Sequence, residues 1–224
     1  MFYASYTRGL EEFGQAPESA INRGEAMPSS KTRQIDAGLR YALTPRVKVV
    51  AGVFEVAKPY FDLDTTRLYR IVGDVTHRGV ELSLTGQLAD GLTMVAGSVF
   101  LRARVDSAAA GQLVPIGRTP RVSSVNVQYG PASWNGVSVD AQLENTSSAF
   151  ANRTNTERVA GRTALNLGGR YSFNINRLGL GDTPATLRVQ AQNVTNVFRW
   201  NFNPNGSIQP FEGRRYSASL ALDF

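Results

Sequence analysis

The last eleven residues, Arg214 to Phe224 (R-R-Y-S-A-S-L-A-L-D-F), constrain the fold more than any other stretch. Read backwards by twos they give Phe224, Leu222, Leu220, Ala218 and Tyr216, with Asp223, Ala221, Ser219, Ser217 and Arg215 in between. Successive side chains of a strand point to opposite faces, so one face is apolar and the other small or polar. Terminal residues usually fray, yet here the pattern runs to the final residue, so the terminus itself reads as structural. A strand of about ten residues with an aromatic at each end also has the length that a tilted membrane-crossing strand requires.

The same alternation recurs along the chain. Val137, Val139, Ala141 and Leu143 oppose Ser138, Asp140, Gln142 and Glu144. Leu187, Val189 and Ala191 oppose Arg188, Gln190 and Gln192, and Gln34–Leu43, Val80–Leu88 and Thr163–Phe173 behave alike. Val95, Val99, Leu101 and Val105 are set against Arg102 and Arg104, whereas Val47–Val56 is apolar on both faces and leaves its orientation open. With Phe2–Tyr6, Val122–Tyr129 and the last strand, about ten strands are expected. Their connections alternate. Those at Thr44-Pro45, Ala89-Asp90-Gly91 and Gly130-Pro131 read as tight, and that at Asn174–Thr183 as somewhat extended. Arg8–Lys31, Lys58–Arg67, Asp106–Gly117, Ser147–Gly161 and Asn196–Gly213 read as long and polar. Short turns at one end and long loops at the other are the habit of an outer-membrane barrel. Aromatics fall near both ends: Tyr41, Tyr129, Trp134, Tyr171, Phe173 and Phe224 by the turns, and Tyr60, Phe61, Tyr69, Phe100, Phe150, Phe198, Trp200 and Tyr216 by the loops. Two girdles would bound an aliphatic band; the β-propensity of aromatic residues is the plainer account.

Composition agrees. Only 42% of residues are hydrophobic, and no run approaches the ~18 apolar residues of a spanning helix. Cys is absent and His77 is the single histidine, which excludes disulfide, thiol and His-cluster metal chemistry. The net charge of +6 comes from scattered Lys and Arg with no basic run, so a nucleic-acid partner is not expected. No nucleophile elbow, P-loop or paired-Cys motif occurs, and no enzyme activity is expected. The N-terminus, M-F-Y-A-S-Y-T-R-G, reads as strand rather than as a signal peptide, so the chain reads as the back part of something longer.

Five segments resemble the barrel of TonB-dependent outer-membrane receptors of the ferric-siderophore type. They are S-Y-T-R-G at Ser5–Gly9, T-R-Q-I-D-A-G-L-R-Y at Thr32–Tyr41, A-G-V-F-E-V-A-K-P-Y at Ala51–Tyr60, H-R-G-V-E-L-S-L-T-G at His77–Gly86 and N-V-T-N at Asn193–Asn196, followed by the terminal Phe. The resemblance implies an all-β, antiparallel up-and-down transmembrane barrel portion over residues 1–224, located in the bacterial outer membrane and without a plug domain. Complete members close about 22 strands around a plug. The function implied is TonB-dependent uptake of a ferric siderophore, with contact to TonB through segments this chain lacks. Ferric iron arrives already chelated, so no cofactor or resident metal is expected, and recognition of a large organic complex falls to loop aromatics and Arg. Tyr60, Phe61, Arg67, Trp200 and Phe202 are the candidate ligand contacts, with girdle or loop packing as the alternative for each. Tyr216, Leu220, Leu222 and Phe224 match the signal that the barrel-assembly machinery reads. Outer-membrane lipid is expected against the apolar face, and Glu81 is expected to face the lumen. A small stand-alone porin or structural barrel and a soluble β-sandwich binding module are the competing readings. With its outer strands unpartnered, the sheet should either stay open or close by pairing Phe2–Tyr6 with Tyr216–Phe224.

Overall fold

The computed structural model describes residues 1–107, 111–152, 154–175, 183–202 and 207–222. Ten strands form one antiparallel sheet in simple chain order: β1 (Phe2–Glu11), β2 (Ser30–Thr44), β3 (Val47–Leu63), β4 (Tyr69–Ala89), β5 (Leu92–Ser107), β6 (Arg121–Tyr129), β7 (Val137–Thr146), β8 (Arg162–Ile175), β9 (Thr183–Gln192) and β10 (Arg215–Leu222). Each pairs only with its sequence neighbours, apart from a three-residue strand at Gly111–Leu113 that folds back onto β5. β1 pairs with β2 alone and β10 with β9 alone, so among the described residues the sheet is open at both edges. Of the two arrangements expected, the open one is observed.

Register decides what each face carries, because directly paired residues share a face. One row reads Tyr129, Val139, Gly169, Val189, Ala218, and the next reads Gln128, Asp140, Gly168, Gln190, Ser217. The expected assignment of Val137, Val139, Ala141, Leu143, Leu187, Val189, Leu220 and Leu222 to one apolar face therefore holds, as does that of Ser138, Asp140, Gln142, Glu144, Arg188 and Gln190 to the other. The apolar face is uncovered: Val139 is 45% exposed, Val189 49% and Leu220 57%. Conventional core is correspondingly sparse, and the buried hydrophobic residues among those described are all alanines and valines. Val75, Ala103 and Val105 lie at the loop end of the polar face, where Leu113 of the short fold-back strand pairs with Val105.

The ladders settle Val47–Val56 and correct β5. Val49, Ala51 and Val53 pair into the apolar face beside Leu84, Leu82 and Val80, which leaves Val50, Phe54 and Val56 on the polar one. On β5, Val95, Val99 and Leu101 pair with Thr85, Glu81 and Gly79 and thus belong to the polar face, opposite to the reading by hydrophobicity. Met94, Ala96, Phe100, Arg102 and Arg104 take the apolar side. Both sets of β5 contain apolar residues, so its own pattern is weak, and the stronger patterns of β4 and β6 fix its register.

Two connections also differ from expectation. Residues 58–63 are strand rather than loop, making β3 and β4 17 and 21 residues long. A bulge between Tyr60 and Phe61 keeps the pairing going past Pro59. The hairpin tip is then closed by Asp64, which accepts from Thr66 Oγ1 (2.6 Å), from the Thr66 and Leu68 amides (2.8 and 3.0 Å) and from Arg70 Nε (2.7 Å). The Gly130-Pro131 turn spans residues 130–136 and contains a 3-10 turn, Ala132–Trp134, ended by Asn135 and Gly136 at φ 47° and 87°. Most of the Asn174–Thr183 connection lies outside the described residues. At the turn ends, Tyr129 meets Trp134 edge-on (5.0 Å) and Tyr171 stacks on Phe173 (5.0 Å), as a girdle requires. At the loop ends Phe61 instead packs between Phe13 and Tyr69, and Phe150 lies under Arg158.

On the polar face, long side chains lie along the sheet over glycines. Tyr3, Gly38, Gly52 and Glu81 form one row across four strands. The Tyr3 ring crosses both glycines to bring its hydroxyl 3.5 Å from Glu81 Oε1, and a Cβ at Gly38 would stand 2.5 Å from that hydroxyl. Gly168 plays the same part between Arg188 and Asp140, whose bidentate pair (2.9 and 3.1 Å) bridges β9 and β7 across β8. Gly168→Val should thus displace the Asp140 carboxylate, 2.5 Å from the new Cβ. The expected cost is about 1–3 kcal/mol. Gly169→Val, whose Cβ meets nothing nearer than 3.6 Å, should change stability by no more than about 0.5 kcal/mol. Urea unfolding of the two variants checks this, and equal losses would refute it.

The Asp64 tip carries a pH prediction. Donation by the Thr66 hydroxyl, then by Arg70 and the two amides, lowers its carboxyl from 3.8 to about 2. A lowered folded-state pKa means the tip is stabilised at pH values above 3.8 and loses that stabilisation as pH falls towards 2. Amide exchange at Thr66 and Leu68 should accelerate across this window in the native protein and show no such step in Asp64→Asn.

Candidate functional site: the polar face and its loop mouth

Two halves of the polar face are organised differently. On β1–β4, Arg40 sits over the Tyr3 ring (4.9 Å), and Asp36 accepts from Ser5 Oγ (2.8 Å) and Gln34 Nε2 (2.9 Å). Glu81 lies on this face, as expected. His77 shares it, with its Nε2 buried and without a hydrogen-bond partner among the described residues. On β7–β9 the Asp140–Arg188 pair borders a polar recess of about 300 Å³, where Asn166 donates to Gln142 (3.0 Å) and Gln142 to Glu144 (2.9 Å). Such a wall offers amides, the Asp140–Arg188 ion pair, the Glu144 carboxylate and the Arg170 guanidinium, a mixed set of donors and acceptors suited to contacting a polar surface.

Asn193 joins this wall to the connection between β9 and β10. It is 2% exposed and has a left-handed φ of 46°, which Asn tolerates better than most residues. Its amide nitrogen donates to Asn166 Oδ1 (2.8 Å), its side chain donates to the Val197 and Glu212 carbonyls (3.0 and 2.9 Å), and its Oδ1 accepts from the Val197 amide (2.9 Å). Asn196 Oδ1 accepts from the Arg214 amide (3.0 Å). The N-V-T-N segment is thus a clamp that closes the neck of residues 193–214.

The loops form two groups. Residues 12–29 are fastened to the β3–β4 tip: Arg67 Nη2 donates to the Ser19 carbonyl (2.9 Å), Asn22 exchanges bonds with the Tyr69 backbone, and Phe61 packs between Phe13 (4.6 Å) and Tyr69 (6.0 Å). In the second group Asn155 bonds both backbone groups of Val114 (2.8 and 2.9 Å), and the Gly117 amide donates to the Phe150 carbonyl (2.9 Å). Phe202 covers Gly117, where a Cβ would meet the ring at 3.0 Å. Arg162 lies over Phe211 (4.3 Å) and donates to Asn201.

The five candidate ligand contacts are therefore divided. Phe61 and Arg67 hold the first loop group together, and Phe202 packs on Gly117 in the second. Trp200 is 49% exposed and meets Phe198 edge-on at 5.9 Å. Tyr60 lines a recess of about 460 Å³ with Asp62, Val105, Leu113 and Ile116, and of the five it alone does so. Asp62, within 3.3 Å of the Tyr60 hydroxyl, was missed by sequence reading, although its alternation with Tyr60 could have marked it. Of the residues expected to carry an assembly signal, Tyr216, Leu220 and Leu222 share the apolar face of β10, and Phe224 lies outside the described residues.

Comparison with known proteins places this architecture. Residues 1–197 match the family model "TonB dependent receptor-like, beta-barrel". The ferrichrome receptor FcuA of Yersinia enterocolitica is 24% identical over 99% of this chain and 30% of its own length. The ferric preacinetobactin receptor BauA of Acinetobacter baumannii superposes with a TM-score of 0.82 and 26% identity, over 100% of this chain and 34% of that one. The siderophore receptor PiuA of A. baumannii, 16% identical, superposes with a TM-score of 0.74 over 99% and 33% of the two chains, which is a likeness of fold alone. The chain thus spans about a third of the length of the relatives it matches. The apolar face with its turn-end aromatics is the lipid-facing side of an outer-membrane barrel wall, and the polar face is its lumenal side. The chain belongs to the TonB-dependent receptor β-barrel family, transport receptors of the outer membrane, and forms part of such a barrel.

Proposed function

We propose that the chain is the C-terminal lumenal wall and part of the extracellular mouth of a TonB-dependent receptor that takes up a ferric siderophore. The observation that carries this reading is the likeness in fold to BauA across the whole chain, joined to a lumenal face of mixed polar and charged groups. In this reading Tyr60 and Asp62 contribute a ligand-facing recess and Trp200 an exposed aromatic at the mouth. The wall binds, encloses and orients, and performs no bond chemistry on the cargo, so enzymatic activity forms no part of it. Coupling to TonB and the plug belong to the remaining two thirds of such a receptor. The apolar row Tyr216, Leu220 and Leu222, together with Phe224, serves recognition by the barrel-assembly machinery. A stand-alone porin is disfavoured by the lack of pairing between β1 and β10 among the described residues.

Grafting tests the reading. The chain, substituted into BauA for the segment on which it superposes, should support TonB-dependent uptake of a ferric siderophore. Expressed alone behind an export signal, it should support none, because half a pocket loses the enclosure on which affinity rests. TonB-independent leakage of small solutes by the chain alone would favour the porin instead. Within the graft, Tyr60→Ala should weaken ligand binding about tenfold, a loss of roughly 1.4 kcal/mol. Phe61→Ala should lower stability with binding unchanged.

The faces supply a further prediction. Val139→Arg should destabilise the lipid-inserted protein by about 2–4 kcal/mol near the midplane. Gln142→Arg, on the lumenal face beside Glu144, should cost far less; Asp140 is unsuited as that control because it is committed to Arg188. Comparable losses at Val139 and Gln142 in vesicle unfolding would show the register to be wrong.

A further inference from the structure

The recess beside Tyr60 has a lining that selects among cargoes. It encloses about 460 Å³ at the loop end of the lumenal face, where the fold-back strand Gly111–Leu113 pairs with β5. Val105 and the run from Leu113 to Ile116 make most of the lining aliphatic. Among the described residues Tyr60 is the one aromatic group of the lining and Asp62 the one charged group, with no lysine or arginine. The Tyr60 hydroxyl donates to Asp62 Oδ2 (3.3 Å), and the Leu63 amide donates to Oδ1 (2.7 Å). Each carboxylate oxygen accepts more than one hydrogen bond, so these two donors do not saturate the group. Arginines of the neighbouring loops are engaged elsewhere: Arg162 by Asn201 and Phe211, Arg158 by Phe150, and Arg199 by the Gly161 carbonyl.

An anionic group entering this recess would bring its charge against Asp62 with no cation in the lining to offset it. A wholly apolar group would fill the aliphatic part and strip water from the carboxylate without replacing it. A short methylene chain ending in an ammonium satisfies both parts, being apolar along its stem and charged at its tip as a lysine side chain is. Its stem removes the Val105 and Leu113 surface from water, and its tip donates to Asp62 in a charge-assisted hydrogen bond. Hydroxamate donors neutralise ferric iron, whereas catecholates leave a net negative complex, so the charge on such an arm goes unopposed only in the first class. We infer, on the reading of the chain as part of a siderophore receptor, that this recess binds a free aminoalkyl arm of the cargo, and that the cargo is a cationic ferric hydroxamate.

Calorimetric titration of the receptor graft in detergent with two matched probes tests the site. One is ferrioxamine B, a ferric trihydroxamate with a free aminopentyl arm, and the other is its N-acetylated form, in which the same arm is neutral. Ferrioxamine B should bind about tenfold more tightly, as the loss of one hydrogen bond to a charged group implies. Asp62→Asn should bring the two affinities together, and Asp90→Asn, at the turn end, should leave their difference intact. Ile116→Lys, at a position 37% exposed, should place a competing ammonium in the recess and weaken ferrioxamine B more than the acetylated complex. Equal affinities in the unaltered graft, as when a lysine of the receptor's other segments fills the recess, would overturn the inference. So would a difference that survives Asp62→Asn, or binding of ferric preacinetobactin with neither hydroxamate bound, and both outcomes would leave a siderophore receptor in place. A graft that binds none of the three complexes would overturn the receptor reading and the inference with it.

Discussion

Register is the constraint on which everything else in this molecule depends. The described wall has almost no interior: its strands meet only along hydrogen-bonded edges, and its two faces look onto different media. A slip of one residue in any ladder would move every side chain of that strand from one medium to the other. The penalty is paid in buried charge on one side and wetted aliphatic surface on the other, and it accumulates with strand length. The long β3 and β4 are therefore the most strongly specified pair, and they tolerate a bulge near their far end because the pairing below it is already decided.

Side-chain contacts that bridge non-adjacent strands add to this. The Tyr3 ring crosses Gly38 and Gly52 to reach Glu81, and the Asp140 carboxylate lies over Gly168 to meet Arg188. Each requires glycine at the crossing point and therefore exists in one register only. These contacts act as alignment marks, and their polar chemistry keeps them on the lumenal face, where a desolvated partner would otherwise be missing.

Most of the wall was legible in the amino-acid sequence because alternation with a period of two is a direct consequence of strand geometry. β7, β9 and β10 show it cleanly, and their faces are as read. β5 shows where that logic stops. Valines and an arginine pair gave the wrong polarity because the outer face of a barrel wall turns basic at headgroup height, and a lumenal row tolerates valine where a loop covers it, as at Val105. The mouth was less legible. Tyr60, Phe61, Arg67, Trp200 and Phe202 are the residue types that bind large organic ligands, but the same types tie loops together. Only tertiary contacts separate Tyr60, which lines a recess, from Phe61, which is sandwiched between Phe13 and Tyr69. Asp64 and Asn193 carry their information in side-chain-to-backbone bonds that no periodicity announces.

The Asn193 clamp has a consequence for how such a surface changes over generations. Both ends of the excursion from residue 193 to residue 214 are fastened to each other and to Asn166, so the β9–β10 ladder is closed below the loop, and the contacts of Asn201, Phe202 and Phe211 with Arg162 and Gly117 are made above that closure. Insertions, deletions and wholesale replacement inside that neck leave the ladder between β9 and β10 intact. The loop is in effect an exchangeable cassette on a fixed socket. Selection for a new cargo, or for escape from a phage or an antibody, can rewrite it without first solving the folding problem again.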